Sequence, residues 1–365
     1  MYGKDFTREK DMSENKRLEG IQVLRAIAFL EIFLGHCGVE WCAASFGVSI
    51  FVILSGFCMA INYLPKVNTM SLNPVQCVKF SVSKIKKLYP LHLMMLAIIY
   101  VIVRMPTSGQ AIPRMIREIL LVKCWTTHSE DYFSYNGVAW YLATYFYICM
   151  MAPYAIHLVA KVKNKKQVLT LGTGIYVLML GVGLFFSKVT IPIGDGFAKW
   201  ITYICPFYRM LDFTLGVLLG WVYLNCRNKA AENQKKNNLL EILALLAFII
   251  MEYAYLPIKE NYMGIGYNVY FVPASLLIVW VFAVNGGFIT KILNNKLLLW
   301  IGNISGFTFL IHQVVLRGVK MYILDSSIGV AYLPLVIIYT FVITIVIMYF
   351  YLFLRKTTRK IISKA

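Results

Sequence analysis

The chain has 365 residues, of which 59% are hydrophobic and only 15% are charged, and this composition excludes a soluble protein of this length. Apolar stretches of about 20 residues recur along it, each long enough to cross a hydrocarbon core of about 30 Å. The formal net charge of +19 does not indicate nucleic-acid binding, because the basic residues lie in short segments between the apolar stretches. The sequence therefore predicts an all-α, polytopic integral membrane protein whose surroundings are the lipid bilayer.

Ten transmembrane helices are predicted from apolar runs that end at polar, glycine or proline breaks. They are placed near residues 20–37, 46–64, 88–104, 137–160, 167–187, 203–225, 238–256, 267–285, 298–316 and 332–354. Alternating them across the membrane collects 25 Lys and Arg residues on the side of both termini and about seven on the other. The positive-inside rule then predicts a cytoplasmic tail at 1–19, a transmembrane domain at 20–354 and a basic cytoplasmic tail at 355–365.

The first predicted helix carries two ionisable residues inside an apolar stretch. Arg25 and His36 are eleven residues apart, which is about three turns, so both fall within roughly 20° of one helix face and about 16 Å apart. Glu31 is offset from both by more than about 100° and faces elsewhere. Ionisable groups inside a membrane usually face a protein interior or a water-filled cavity. We therefore expect Arg25 and His36 to line a cavity, with Arg25 nearer the cytoplasm.

The longest predicted extracytoplasmic connection covers residues 105–136. Its aromatic, hydroxyl, amide and acidic side chains suit a polar ligand, and the same composition suits interfacial structure that packs on the helices. The eight cysteines form no CxxC pair and have no histidine at metal-ligand spacing. No metal site is predicted.

The first-helix segment IQVLRAIAFLEIFLGH resembles the signature of the acyltransferase 3 family, polytopic enzymes that move acyl groups onto carbohydrates. Resemblance continues, in the family's order, through GVSIFVILSGF, SKIKKLYPLH, GVAWYLATYFYICMMAP, FYRMLDFTLGVLLG and ISGFTFLIHQVVL. Four positions depart from the family pattern. Ser49 replaces an aspartate, Lys84 and Lys87 replace arginines, and WYLATYFY lacks an acidic residue that often follows its tryptophan.

The resemblance implies that Arg25 and His36 are the catalytic pair. It also implies acetyl-CoA or another acyl-CoA as a cytoplasmic donor substrate, with no permanently bound cofactor, and a hydroxyl of an extracytoplasmic or lipid-linked saccharide as acceptor. A neutral histidine can take the hydroxyl proton, or it can carry the acyl group itself. A fixed arginine can hold an oxygen of the donor. Lys84 and Lys87 would attract CoA phosphates without the bidentate fork of arginine.

These four residues also have structural interpretations that the sequence leaves open. His36 fits an interfacial histidine at a helix end, and Arg25 fits a side chain that reaches the cytoplasmic surface by snorkelling. Lys84 and Lys87 fit ordinary positive-inside residues.

Four further residues are candidates for substrate binding, namely Trp140, Arg209, Asp212 and His312. Arg209 and Asp212 are three residues apart, so they can pair with each other or with a substrate. Trp140 fits either an aromatic belt at the outer interface or a ring that stacks on a sugar. His312 fits either a second cavity histidine or a packed, hydrogen-bonded one.

An alternative class is a transporter or flippase of lipid-linked saccharides, in which Arg25, Arg104, Arg209 and Arg317 form a cationic path and no bond is made. The sequence shows no inverted repeat and no pair of Gly/Pro-broken helices in corresponding halves. A histidine in register with an arginine on one helix is also more useful to chemistry than to passage. The enzyme is therefore the preferred interpretation.

Overall fold

The structure of the chain is a computed structural model that describes residues 2–103, 110–189, 196–322 and 332–362. Seventeen α-helices and no β-strand occur within those ranges. The helices are α1 Tyr2–Cys37, α2 Ala44–Tyr63, α3 Pro74–Ile85, α4 Tyr89–Val103, α5 Ala111–Ile119, α6 Ser129–Tyr132, α7 Ala139–Ala160, α8 Lys165–Lys188, α9 Phe197–Lys199, α10 Pro206–Glu232, α11 Gln234–Tyr253, α12 Tyr255–Asn261, α13 Met263–Gly266, α14 Val272–Val284, α15 Phe288–Leu293, α16 Lys296–Tyr322 and α17 Leu333–Ile362.

The prediction of an all-α, polytopic membrane protein is confirmed. In the described ranges seven helices are long and apolar enough to cross a membrane, and two bent helix pairs raise the number to nine if each pair is one span. The seven are Glu19–Cys37, Ala44–Thr69, Ala139–Ala160, Lys165–Lys188, Phe197–Cys226, Lys296–Tyr322 and Leu333–Thr358. The predicted span 267–285 contains only a shorter apolar helix, Val269–Val284, because Asn285 adopts a left-handed conformation that ends it. The cytoplasmic placement of both termini stays a prediction.

A sharp bend separates α3 from α4. The two helices meet at 64°, and Pro90 in the first turn of α4 explains the break, because proline has no N–H to continue the preceding helix. The Ser81 hydroxyl of α3 donates to the backbone carbonyl of Phe146 in α7. This bond fixes α3 and its basic last turn against the bundle.

Close backbone contacts join the central helices α1, α2, α10 and α16. A Cβ atom at Gly302 of α16 would collide with the backbone carbonyl of Gln22 in α1, and one at Gly216 of α10 would collide with that of Ile53 in α2. Small residues permit such approach between membrane helices. The two helices α1 and α16 run in the same direction, because Gly302, Gly306 and His312 lie beside successively later residues of α1.

We expect Gly302→Val to destabilise the folded protein by about 1–3 kcal/mol, because the larger side chain must separate α1 from α16. Gly181→Val is a matched control, since Gly181 is also inside a helix but a Cβ atom there would meet no neighbouring atom within 4 Å. Thermal unfolding in detergent would compare them. An equal fall in unfolding temperature for both variants would contradict close packing at Gly302.

Candidate active site

A cavity of about 360 Å³ lies among α1, α2, α3, α7 and α16. Its lining includes the two cations Arg25 and Lys84 and no acidic residue. Aromatic and aliphatic side chains form most of the remaining wall. A concave, mostly apolar site with a few charged groups is the usual form of a small-molecule pocket.

Arg25 is a half-buried cation of the cavity wall. Its Nη2 atom faces Gly306 of α16, where a Cβ atom would lie 3.6 Å away. No side chain or carbonyl in the described part of the chain forms an ion pair or hydrogen bond with this guanidinium. A cation that faces a cavity without a protein partner attracts negative charge, so the site favours an anionic or strongly polar ligand at Arg25.

Lys84 reaches the cavity from the last turn of α3. Its Nζ atom donates a 2.7 Å hydrogen bond to the hydroxyl of Tyr63 and lies 4.6 Å and 4.5 Å from the ring centres of Tyr63 and Phe80. Lys87 is exposed and does not line the cavity, because the chain turns between α3 and α4 before reaching it. The structure therefore brings Lys84, and not Lys87, together with Arg25.

His36 is paired with His312. The Nδ1 atom of His36 lies 2.9 Å from the Nε2 atom of His312, and the two rings are nearly parallel. His36 is half-buried, whereas His312 is fully buried. The sequence predicts the two histidines as separate candidates, and only the packing of α1 against α16 shows that they touch.

Phe309 borders both the cavity and His312. It lines the cavity, and its ring centre lies 5.4 Å from that of Tyr141 and 5.9 Å from that of His312. His36 is not part of the cavity wall. The expected placement of Arg25 on a cavity is observed, whereas His36 contacts His312, which in turn contacts the wall residue Phe309.

Two tyrosines of the cavity wall were not identified from the sequence. Tyr141 and Tyr145 lie one turn apart on α7 with stacked rings, and the Tyr141 hydroxyl is hydrogen-bonded to Ser55. Their four-residue spacing places them on one helix face, which was the available signal. Trp140, the predicted sugar-stacking residue, is instead buried against Tyr203, with ring centres 4.7 Å apart.

Arg209 and Asp212 form a fully buried ion pair, with Nη1 2.8 Å from Oδ2. Asn268 donates to both carboxylate oxygens of Asp212 at 2.9 Å. The Arg209 guanidinium lies 5.7 Å from the ring centre of Tyr203, which also contacts Trp140. Trp140, Arg209 and Asp212 therefore share one buried cluster, and none of them lines the cavity. Of the two possibilities for Arg209 and Asp212, the structure shows them paired with each other.

Buried polar groups hold together the connection that is predicted to be extracytoplasmic. Lys123 pairs with Glu118, and its Nζ atom also donates to the carbonyls of Ser134 and Asn136. Burial raises the pKa of the Glu118 carboxyl above its ordinary value, and the nearby Lys123 ammonium opposes this shift. Residues 105–109 of this predicted connection, and Arg104 before it, lie outside the described ranges.

The docked end of this connection lies beside the histidine pair. Asn136 donates to the carbonyl of Leu310 at 2.8 Å, and Arg317 donates to the carbonyl of Tyr135 at 2.7 Å. Both partners on α16 lie within two turns of His312. Arg25, Arg209 and Arg317 thus have three different environments, and each of the last two has its own protein partner.

These features define a helical membrane protein with a cationic cavity that ends close to a histidine pair. The model of the acyltransferase 3 family, described as an acyltransferase domain, matches residues 18–352, so the chain belongs to this family of acyltransferases.

Similar proteins include the O-acetyltransferase OatA of Staphylococcus aureus strain NCTC 8325, which is 24% identical over 346 residues. The match covers 90% of this chain and 56% of OatA. A protein of S. aureus strain COL, provisionally named an O-acetyltransferase, is 24% identical over 343 residues, covering 90% of this chain and 55% of its own length. The chain thus spans little more than half the length of these relatives. No solved structure matches it significantly.

Replacing Lys123 by Met should destabilise the docked connection by about 3–5 kcal/mol, because it leaves the Glu118 carboxyl buried without its cation. The double change Lys123→Met with Glu118→Leu should recover most of that loss. Hydrogen exchange in the connection and thermal unfolding would measure the effect. Arg114→Ala, which breaks the more exposed pairs with Glu130 and Asp131, should cost about 1 kcal/mol, less than Lys123→Met. Equal losses for Lys123→Met and Arg114→Ala would contradict the assigned importance of the buried pair.

Proposed function

We propose that the chain transfers an acyl group, most simply acetyl, from cytoplasmic acyl-CoA to a hydroxyl of an extracytoplasmic or lipid-linked saccharide in the cell membrane. An exopolysaccharide or capsule unit is an acceptor of this class. Family membership supports acyl transfer, and the names of the relatives support acetyl transfer to oxygen. The observation that carries the proposal is the unpaired Arg25 guanidinium in a cavity whose wall residue Phe309 contacts His312, the hydrogen-bond partner of His36.

The charge of the cavity supports an anionic donor. Arg25 and Lys84 supply two positive charges, and no lining residue supplies a negative one. CoA carries phosphate groups and a polar pantetheine arm that ends in a thioester, so it combines charges for the cations with a chain for the apolar wall. Lys84, in the last turn of α3 within the predicted cytoplasmic connection, would meet phosphate. Arg25 is deeper, so it is placed to hold an oxygen nearer the thioester.

The chemistry we assign to His36 is that of a general base. The acceptor hydroxyl gives its proton to the imidazole while its oxygen attacks the thioester carbonyl carbon. A C–O bond forms and the C–S bond breaks. The CoA thiolate leaves and takes the proton from the imidazolium ion of His36. Because His36 does not line the cavity, a wall residue such as Phe309, which contacts His312, must move for the acyl group to reach His36. Lys87, and the buried cluster of Trp140, Arg209 and Asp212, do not line the cavity, so they would not contact the reacting groups.

Transfer of label from radiolabelled acetyl-CoA to the saccharide fraction of membrane vesicles tests the proposed function. His36→Ala should reduce the rate by about 10²–10⁴-fold, which is the usual contribution of a general base. Arg25→Ala should also reduce it strongly, and Arg25→Lys should recover only part, because lysine restores the charge but not the guanidinium fork.

Lys163→Ala is the matched control, since Lys163 is an exposed cation on the same predicted side of the membrane and does not line the cavity. All variants are compared at equal amounts of folded protein. Transfer that persists unchanged in His36→Ala would refute the proposed chemistry.

The two lysines of the predicted donor site should differ. We expect Lys84→Ala to raise the KM for acetyl-CoA about tenfold, equivalent to about 1.4 kcal/mol, because Lys84 lines the cavity. Lys87→Ala should have a smaller effect, which fades as salt is added, because an exposed charge is screened. Initial rates at varied acetyl-CoA and ionic strength measure both. A larger effect at Lys87 would place the CoA phosphates outside the described cavity.

A further inference from the structure

The hydrogen bonds around His312 determine which of its nitrogens carries a proton. Its Nδ1 atom lies 2.8 Å from the backbone carbonyl oxygen of Phe309 and 3.3 Å from that of Thr308. A carbonyl oxygen only accepts hydrogen bonds, so Nδ1 of His312 must carry a proton and donate it. In the neutral ring the other nitrogen, Nε2, then holds a lone pair.

The surroundings of His312 keep it neutral. Its side chain is fully buried, and the rings of Phe29, Phe33 and Phe309 surround it with centres about 6 Å away. In the described part of the chain no carboxylate contacts it. Burial away from water disfavours an imidazolium ion, and a neutral imidazole with both nitrogens hydrogen-bonded is well accommodated.

The proton between the two histidines therefore belongs to His36. The Nε2 atom of His312 accepts a hydrogen bond, so the Nδ1 atom of His36, 2.9 Å away, must be its donor. With its proton on Nδ1, neutral His36 has its lone pair on Nε2. That atom has no hydrogen-bond partner among the described residues, and the ring is only half-buried. The charged group that acts on His36 is Lys320 of α16, which cannot accept a proton from it while protonated.

We propose that His312 is a positioning residue, which holds His36 in the tautomer whose Nε2 lone pair is free for the acceptor hydroxyl. The inference rests on the proposed function of His36 as general base. When Nε2 takes the hydroxyl proton, His36 becomes an imidazolium ion whose Nδ1–H still donates to His312. The departing thiolate then takes this proton from Nε2. His312 keeps its own proton throughout, because its Nδ1–H bond ends at a carbonyl that cannot accept a proton.

A direct test reads the tautomer without relying on activity. The chain contains five histidines, so ¹⁵N-histidine labelling in nanodiscs gives few signals, and His36→Gln assigns those of His36. In the unmodified protein we expect a protonated Nδ1 and an unprotonated Nε2 at His36. In His312→Leu, which removes the acceptor, we expect a mixture of tautomers with protonated Nε2. An unchanged pattern in a folded His312→Leu protein would overturn the proposal.

Kinetics supply a second readout. With labelled acetyl-CoA and vesicle saccharide, His312→Leu should reduce kcat on the order of 10²-fold with little change in the KM for acetyl-CoA, because His312 does not line the donor cavity. His312→Gln should recover much of kcat, since its amide oxygen can accept the hydrogen bond from His36. A kcat for folded His312→Gln that is no higher than the kcat for His312→Leu would count against the proposal.

His92→Leu is the matched control. His92 is also fully buried and hydrogen-bonded through Nε2 to a backbone carbonyl, that of Glu118 at 3.1 Å, but it does not contact His36. We expect it to leave the tautomer of His36 unchanged. A change as large as that in His312→Leu would show general loosening and overturn the specific role.

The failures of the two proposals are distinguishable. Transfer that survives His36→Ala would refute the general base and hence the proposed function, whatever the tautomer spectrum shows. Transfer that needs His36 but is indifferent to His312→Leu would leave the function standing and refute the positioning role.

Discussion

The candidate site depends on the close, parallel contact between α1 and α16. Gly302 permits the two backbones to meet at Gln22. From that point the helices continue side by side, which sets Gly306 beside Arg25 and, further along, His312 beside His36. Arg25 and His36 therefore both lie against one neighbouring helix. A change that separated these helices would disturb both groups together.

Charge is distributed differently at the two ends of this contact. Around Arg25 the protein offers a cavity and no counter-charge, so a bound anion would supply the missing partner. Around His36 it offers a neutral imidazole in an aromatic shell. A neutral partner such as His312 fixes the orientation of the His36 ring without adding a charge. Elsewhere, Arg209, a member of the alternative cationic path, is paired with Asp212 inside the protein, which removes it from a simple path of free cations across the membrane.

Sequence reasoning predicted much of the fold because membrane spans follow from local apolar length, whereas the catalytic role of Arg25 and His36 was implied by the family resemblance and stays a prediction. Apolar length predicted the spans, and the register of Arg25 with His36 on α1 predicted their common face. It failed where distant segments meet. The pairing of His36 with His312 and the ring of Phe309 beside them depend on packing across 276 residues of chain, and Lys87 left the cavity because of a 64° bend. Tyr141 was passed over because an aromatic residue at a helix start also fits the membrane interface.

Equilibrium binding of a non-cleavable thioether analogue of acetyl-CoA to the full chain in nanodiscs tests the central claim most directly, because it separates donor binding from chemistry. Arg25→Ala should weaken binding at least about tenfold, since it removes the unpaired cation of the cavity. His36→Ala should leave binding nearly unchanged, because His36 does not line the cavity. Equal binding by the unmodified protein and Arg25→Ala would contradict the assignment of this cavity to the donor.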